Sequence, residues 1–273
     1  MIDLHCHLLP GIDDGARNLD DALTMARMAV ADGITQVACT PHVYPGVYDN
    51  DGPQIVAAVV ALTRELQDAG ITLPLTYGGD VHLIGDLVPG LKAGSVPTLA
   101  GSRYFLLEFP DRLPWRVMCD AAFQLIRNGY VPIITHPERQ QWIEEGFARL
   151  PELLRQGVWL QVTAGSLTGR FGRDARYWGE RLVAAGWVHL LATDAHNVRR
   201  RPPALAEGRS VAAAWLGDEE AERMVRSRPA GIVANDPPGS IPSPPGLTGD
   251  GIVRVPSWRR WSLFLRSWRA LRR

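Results

Sequence analysis

Apolar positions along the chain gather into seven short, strand-like runs, at residues 1–6, 34–40, 73–81, 103–109, 130–135, 157–162 and 187–193. Between most of them the apolar residues recur at helical spacing, over 19–31, 54–69, 115–127, 147–155 and 175–185. Gly33, Gly70, Gly129, Gly157 and Gly186 follow helical stretches at the place where a chain commonly leaves a helix in the left-handed conformation. Strand, helix, strand repeated in this order predicts a parallel sheet with helices outside it, either doubly wound or closed into a barrel. Periodicity does not separate the two.

Polar residues at the strand ends carry the argument further, because barrels of this kind hold their chemistry at the C-terminal ends of their strands. The first run reads MIDLHCHLLPGIDDGA, and alternate strand side chains point the same way, so His5 and His7 project together, closely followed by Asp13 and Asp14. Later runs end in His42 (CTPH), Asp80 (YGGD), Glu108 (LLEF), His136 (ITHPER) and Asp194 with His196 (ATDAH). The sixth ends in LQVTAG, whose Gln161 and Thr163 are polar but poor metal ligands. Five of the seven histidines thus fall at one rim of the predicted sheet. The other two, His82 and His189, follow or interrupt strands and are read as structural.

Imidazole and carboxylate together, without thiolate, suit Mn, Zn or Fe, and this many donors exceed what one ion takes, so two or three divalent ions are expected. Multi-metal sites of this kind activate water and clamp the oxygens of a phosphoryl centre, which makes phosphoester hydrolysis the natural reaction class. Arg139, Arg170 and Arg201 follow strand ends and supply the planar cations that a phosphoryl group needs. The competing cysteine mechanism requires Arg six residues after Cys. The residues at that offset from Cys6, Cys39 and Cys119 are Ile12, Pro45 and Leu125.

Composition changes the picture in two places. Lys plus Arg and Asp plus Glu balance at 29 each, so net charge gives no reason to expect a nucleic-acid partner. Residues 251–273, however, hold seven arginines and no acidic residue, leaving a formal −7 on the first 250. Three cysteines without short paired spacing fit a reducing compartment. The N-terminus lacks the pattern of a secretory signal and no run of about eighteen apolar residues occurs, so the body is expected to be cytoplasmic. Residues 237–250 are rich in Pro, Gly and Ser and read as an extended or flexible linker. Beyond them, 256–273 read as an amphipathic helix: Trp258, Trp261, Phe264, Leu265, Trp268 and Leu271 share a face about 140° wide, opposite Arg259, Arg266, Arg269 and Arg273. That composition suits an anionic membrane surface or a membrane-bound partner, the body then lying peripherally at the inner face of the membrane.

The motifs MIDLHCHLLPGIDDGA, TPH, LLEFP, THPER, QVTAGSLTGRFG and TDAHNVRRRPP, in that order, resemble the PHP (polymerase and histidinol phosphatase) superfamily. Within it the chain is most similar to the metal-dependent protein-tyrosine phosphatases of bacterial capsule and exopolysaccharide loci, over residues 1–236. The resemblance implies a distorted (β/α)7 barrel with two or three metal ions, usually manganese, acting on the tyrosine-rich tail of a polysaccharide-assembly kinase. It implies His5, His7, Asp14, His42, Glu108, His136, Asp194 and His196 as ligands, Glu108 as a bridge, and Arg139 and Arg201 near the phosphate. Two departures stand out. Asp80 occupies a position where the family usually has Glu, and the 237–273 extension is not expected from the family. Rival expectations are a phosphatase of a small phosphomonoester such as histidinol phosphate, a nuclease of the polymerase-associated kind, and a non-catalytic scaffold that retains the metal for stability.

Overall fold

The computed structural model describes residues 1–247, so the expected amphipathic helix at 256–273 lies outside the described residues. Among the described residues nine strands form: β1 (Ile2–Cys6), β2 (Gln36–Cys39), β3 (His42–Val43), β4 (Leu75–Tyr77), β5 (Asp80–His82), β6 (Tyr104–Glu108), β7 (Val131–Ile134), β8 (Trp159–Thr163) and β9 (Leu190–Ala192). All ladders between them are parallel, in the orders β1-β2-β4 and β3-β5-β6-β7-β8-β9.

Nine strands arise from seven expected runs because a further short strand, β3, follows the run at 34–40 and the run at 73–81 is broken. Thr40–Pro41 separates β2 from β3, and Gly78–Gly79 separates β4 from β5. Proline cannot donate to a ladder, and a Cβ on Gly79 would stand 2.8 Å from both Pro97 Cγ and Val43 Cγ2, so this jog admits no larger residue. Hydrogen bonds carry the pairing through the breaks, from Gly78 N to Cys39 O and from Asp80 N to Pro41 O, each 3.0 Å. At the other margin Asp194 N donates to His5 O (2.8 Å) and His7 N to Ala195 O (2.9 Å), which brings the end of β9 against β1. The result is one curled parallel sheet whose last strand meets its first.

Neighbouring residues on a strand join different cores. On β6, Tyr104 and Leu106 pack with Leu4, Ala38, Ile133, Trp159 and Leu190, whereas Phe105 and Leu107 join the larger cluster beneath the helices. The helices Leu19–Ala31 and Trp115–Arg127 have the expected bounds, and the chain leaves the former with Gly33 at φ 86° and the latter with Gly129 at φ 87°. Asn18 caps the former, its side chain accepting from Asp21 N at 2.9 Å. The segment expected to be helical at 147–155 begins with a 3-10 turn, and the α-helix itself is Leu150–Gln156.

The stretch expected to be a linker behaves differently over its described part, 237–247. Ile241 is buried in the smaller core, Pro242 O accepts from Arg228 Nε at 2.6 Å, and Gly246 N donates to Gly186 O at 2.9 Å. Composition reads Pro, Gly and Ser as unable to bury surface. One isoleucine and two backbone bonds are enough to hold this segment on the body.

Candidate metal centre

The C-terminal ends of the strands converge on a buried cluster of imidazoles and carboxylates. Among the described residues four groups form, within each of which the donor atoms lie within 4.8 Å of one another: His7, Asp14, His42 and His196; His42, Asp80, His82 and Glu108; His5, His7 and Asp80; and His5, His136 and Asp194. The structure therefore brings together all nine residues read from the sequence as ligands, His5, His7, Asp14, His42, Asp80, Glu108, His136, Asp194 and His196, and adds His82.

Neighbouring groups fix which nitrogen faces inward. His5 Nδ1 bonds Gln161 Oε1 (3.0 Å), His7 Nδ1 bonds Asp13 Oδ2 (2.7 Å) and His196 Nδ1 bonds Asp194 O (3.0 Å). A neutral imidazole that donates through Nδ1 keeps its lone pair at Nε2. All three Nε2 atoms meet carboxylates: His5 and His7 stand 3.3 and 3.4 Å from Asp194 Oδ1, and His196 3.3 Å from Asp14 Oδ1. Asp13 is thus a residue that orients His7, and its Oδ2 also accepts from His42 N. Gly15 makes this turn possible, because a Cβ there would lie 2.3 Å from His7 O.

The backbone is strained where the site is built. Among the described residues only four other than glycine have positive φ, and two of them are His136 (34°) and Asp194 (50°).

Burial and the facing carboxylates pull the imidazoles of the cluster in opposite directions. Burial opposes an imidazolium at His7, yet hydrogen bonds and charge from Asp13 and Asp194 outweigh it and lift the group to about 10. Burial lowers His5 to about 4, against the pull of Asp194 and Asp80. Burial would raise Asp80 and Asp194, but the facing imidazole and guanidinium groups hold both well below the usual carboxylate range: His5 and His136 for Asp80, His5 and Arg139 for Asp194.

Donor chemistry and unmet lone pairs both fit divalent cations. Both oxygens of the fully buried Asp80, Glu108 Oε2 and His196 Nε2 take no hydrogen bond. Buried polar atoms without partners are costly in a native structure, and a mixed N/O set converging on such atoms is what a borderline divalent ion satisfies.

The three arginines part company. Arg139 Nη1 and Arg201 Nη2 both donate to Asp194 Oδ2, the latter at 2.6 Å. Phe171 supports them, its ring lying 4.2 Å from Arg139 Cζ and 5.6 Å from Arg201 Cζ. Arg170 lies on the surface with Nη2 3.6 Å from Glu207 Oε2. The GSLTGRFG motif therefore touches the arginine pair through Phe171, which sequence reasoning passed over in favour of its charged neighbour.

His82 was missed for a more instructive reason. The third apolar run ends at 81, so His82 reads as following a strand. In the structure Asp80 and His82 are alternate residues of β5 and share a face, the same two-residue spacing as His5 with His7 and Asp194 with His196. The repeated donor-x-donor pattern at three strand ends was visible in the sequence.

A curled parallel α/β sheet with a rim of imidazoles, carboxylates and two guanidinium groups defines a candidate metal-dependent enzyme of phosphate chemistry. The chain belongs to the capsular polysaccharide synthesis CpsB/CapC family, whose model matches residues 1–234. It is 39% identical over 202 residues to the tyrosine-protein phosphatase YwqE of Bacillus subtilis, covering 74% of this chain and 79% of the relative. With the tyrosine-protein phosphatase CpsB of Streptococcus agalactiae it shares 26% identity over 244 residues, covering 86% and 99%. A crystal structure from work on YwqE of Bacillus subtilis and CpsB of Streptococcus pneumoniae, described as unique metal-dependent tyrosine phosphatases, superposes with a TM-score of 0.83 at 34% identity, covering 87% of this chain and 96% of that one.

Proposed function

We propose that the protein is a metal-dependent protein-tyrosine phosphatase that hydrolyses phosphotyrosine on a protein of polysaccharide assembly, a bacterial tyrosine kinase being the expected substrate. The observation that carries this reading is the meeting of Arg139 and Arg201 on one oxygen of Asp194, whose other oxygen faces His5 and His7. Cationic forks thus adjoin the metal-binding donors directly. The family relationship and the names of the relatives support the same reading.

His5, His7, Asp14, His42, Asp80, Glu108, His136, Asp194 and His196 would hold two or three divalent ions, Mn foremost and Fe or Zn as alternatives. The chemistry such ions supply when bound is acidification of water and neutralisation of charge on a phosphoryl group. This chain's own groups do the rest. Arg139 and Arg201 bind the phosphoryl oxygens, and Phe171 holds the guanidinium planes. Asp194 orients both arginines. Phenolate, with a pKa of about 10, leaves with little help from a general acid, which suits a site whose Asp80 and Asp194 are held ionised.

Within this reading the curled sheet is a distorted (β/α)7 barrel, β2 continuing as β3 and β4 as β5. The setting is cytoplasmic. Among the described residues no helix is long and apolar enough to cross a membrane. The Trp and Arg pattern of 251–273 supports contact with an anionic membrane surface, which would bring the enzyme to a membrane-bound kinase.

Catalytic efficiency on a phosphotyrosine peptide and on histidinol phosphate, measured at saturating Mn, tests the reading. The peptide is expected to win, and a tenfold or larger preference for histidinol phosphate would replace it with the small-phosphomonoester alternative. Absence of turnover on either would favour the scaffold.

A further inference from the structure

We propose that His82 binds metal in this chain, completing with His42, Asp80 and Glu108 a four-donor position for a divalent cation of the Mn, Zn and Fe class. The proposal rests on the metal-centre reading above and extends it to a residue which that reading does not use.

Strand register puts the four donors together. On parallel strands His42 of β3 pairs with Asp80 of β5, and His82 of β5 pairs with Glu108 of β6. Residues 80 and 82 lie on one face of β5, while Val81 between them is buried in the larger core. The four side chains therefore form a patch two residues long across three adjacent strands, and each offers a donor atom within 4.8 Å of the others.

Atomic detail points to a shared cation. His82 Nε2 stands 3.0 Å from Glu108 Oε2, yet that oxygen accepts no hydrogen bond. The ring N–H direction and the carboxylate oxygen are thus close without being aligned, as expected of two lone pairs aimed at a common point. His82 Nε2 is also 3.3 Å from His42 Nδ1, and His42 Nδ1 is 3.4 Å from Asp80 Oδ2. Neither oxygen of Asp80 has a hydrogen-bond partner, although the residue is wholly buried. The two histidines meet one another at hydrogen-bond distance, whereas both Asp80 oxygens and Glu108 Oε2 take no hydrogen bond, and a cation amid the two imidazoles and two carboxylates meets those lone pairs.

The loop that follows β3 holds the two rings in place. Tyr44 stacks on His82 with centroids 4.1 Å apart and planes 17° apart, and Tyr48 stacks on His42 at 5.5 Å and 15°. Backbone hydrogen bonds between Tyr44 and Tyr48 close the turn that carries both tyrosines. A histidine whose only task was to fill space would not need its ring plane set in this way. The arrangement also offsets the short reach of Asp80, since His82 brings a donor to the same position from two residues further along the strand.

Manganese binding tests the proposal without recourse to turnover. Metal-stripped wild-type, His82→Ala and His82→Gln proteins would be titrated with MnCl2, free Mn2+ being followed by its electron paramagnetic resonance signal. The expected result is one ion fewer per chain in His82→Ala, or at least a tenfold weaker Kd for the weakest ion, with His82→Gln lying between. Pulsed resonance on 15N-histidine-labelled protein should in parallel lose one nitrogen coupling in both variants. Should His82→Ala fail to fold, as judged by circular dichroism, His82→Gln decides. Isotherms that superimpose within twofold, with unchanged nitrogen couplings, overturn the role of His82 while leaving the metal centre intact. A wild-type protein that binds no Mn2+ overturns both.

Discussion

At the base of the sheet, Arg228 is fully buried and its own chain supplies its partners. Its Nη2 forms an ion pair with Glu220 Oε1 at 2.7 Å without hydrogen-bond alignment, its Nε donates to Pro242 O, and its Nη1 donates to His189 O at 3.2 Å. At the rim, Asp13, Asp14, Asp80, Glu108 and Asp194 all face imidazoles, Asp194 also meets the guanidinium groups of Arg139 and Arg201, and buried acceptors are left over. The difference teaches how to read buried charge. A cation with an anion and carbonyls around it is a structural tie, whereas an excess of lone pairs is a demand for a ligand from outside.

Removing that ligand is the strongest test of the contrast. Chelation should reduce aryl-phosphate turnover to background and Mn should restore it, while secondary structure held by the base persists. Glu108→Ala or His136→Ala should lower kcat/KM by more than roughly a hundredfold, above the 10–100-fold typical of residues that only orient ligands. Full activity in chelator, with no metal detected in the protein, would abolish the distinction between the two ends.

The opposite intervention belongs at the base. Arg228→Met leaves the buried Glu220 Oε1 without its cation, Arg223 Nη1 still meeting Oε2 at 3.4 Å, and should cost about 3 kcal/mol in denaturant unfolding, whereas Arg228→Met with Glu220→Leu should recover much of it. Metal content per folded molecule should not change in either protein. If the single variant were as stable as wild type, the pair would not be the tie that this geometry describes.

A finer division runs through the arginines themselves. Arg139→Lys keeps the charge but loses the fork that reaches Asp194, and should reduce kcat/KM by about 10–100-fold, the scale of a charge-assisted hydrogen bond of about 1.5–3 kcal/mol. Arg170→Ala removes a surface group paired with Glu207 and should stay within roughly threefold. Equal losses in both would return Arg170 to the centre and require the motif to close over the phosphate during turnover.

These particulars show what the sequence could disclose. The helices at 19–31 and 115–127 were legible because their apolar faces and end signals agree, and most rim donors were legible because each ends a strand. The jogs at Thr40–Pro41 and Gly78–Gly79 were not, since hydrophobic periodicity records burial and not the sideways step of a strand, and His82 was lost with them. The hold on 237–247 was hidden for another reason. It depends on Arg228 donating to a carbonyl fourteen residues away, and a backbone acceptor leaves no mark in composition.

The smallest expected effect concerns His189, the one histidine of the base. Its ring is stacked on Trp159 at 4.5 Å and 19°, and its Nδ1 accepts from Leu160 N at 3.2 Å, which requires a lone pair there. Burial first, then the nearby Arg228 charge, holds it well below the ordinary histidine value, so the folded protein keeps it neutral. The unfolded chain takes up a proton near pH 6.5. Below that pH the unfolded state binds more protons than the folded one, and stability should fall by up to about 1.4 kcal/mol for each further pH unit from this group alone. Rim histidines titrate as well, but their contribution is common to wild type and a variant altered only at the base, and cancels in the difference. His189→Asn keeps an acceptor near the Nδ1 position and cannot be protonated, so the stability of the variant relative to wild type should be flat above pH 7 and rise steadily from pH 6.5 to 5.5. Chemical denaturation at five pH values would read this slope. A difference that stays constant across the range would mean that His189 accepts its proton within the fold, and that the base tolerates a second positive charge beside Arg228.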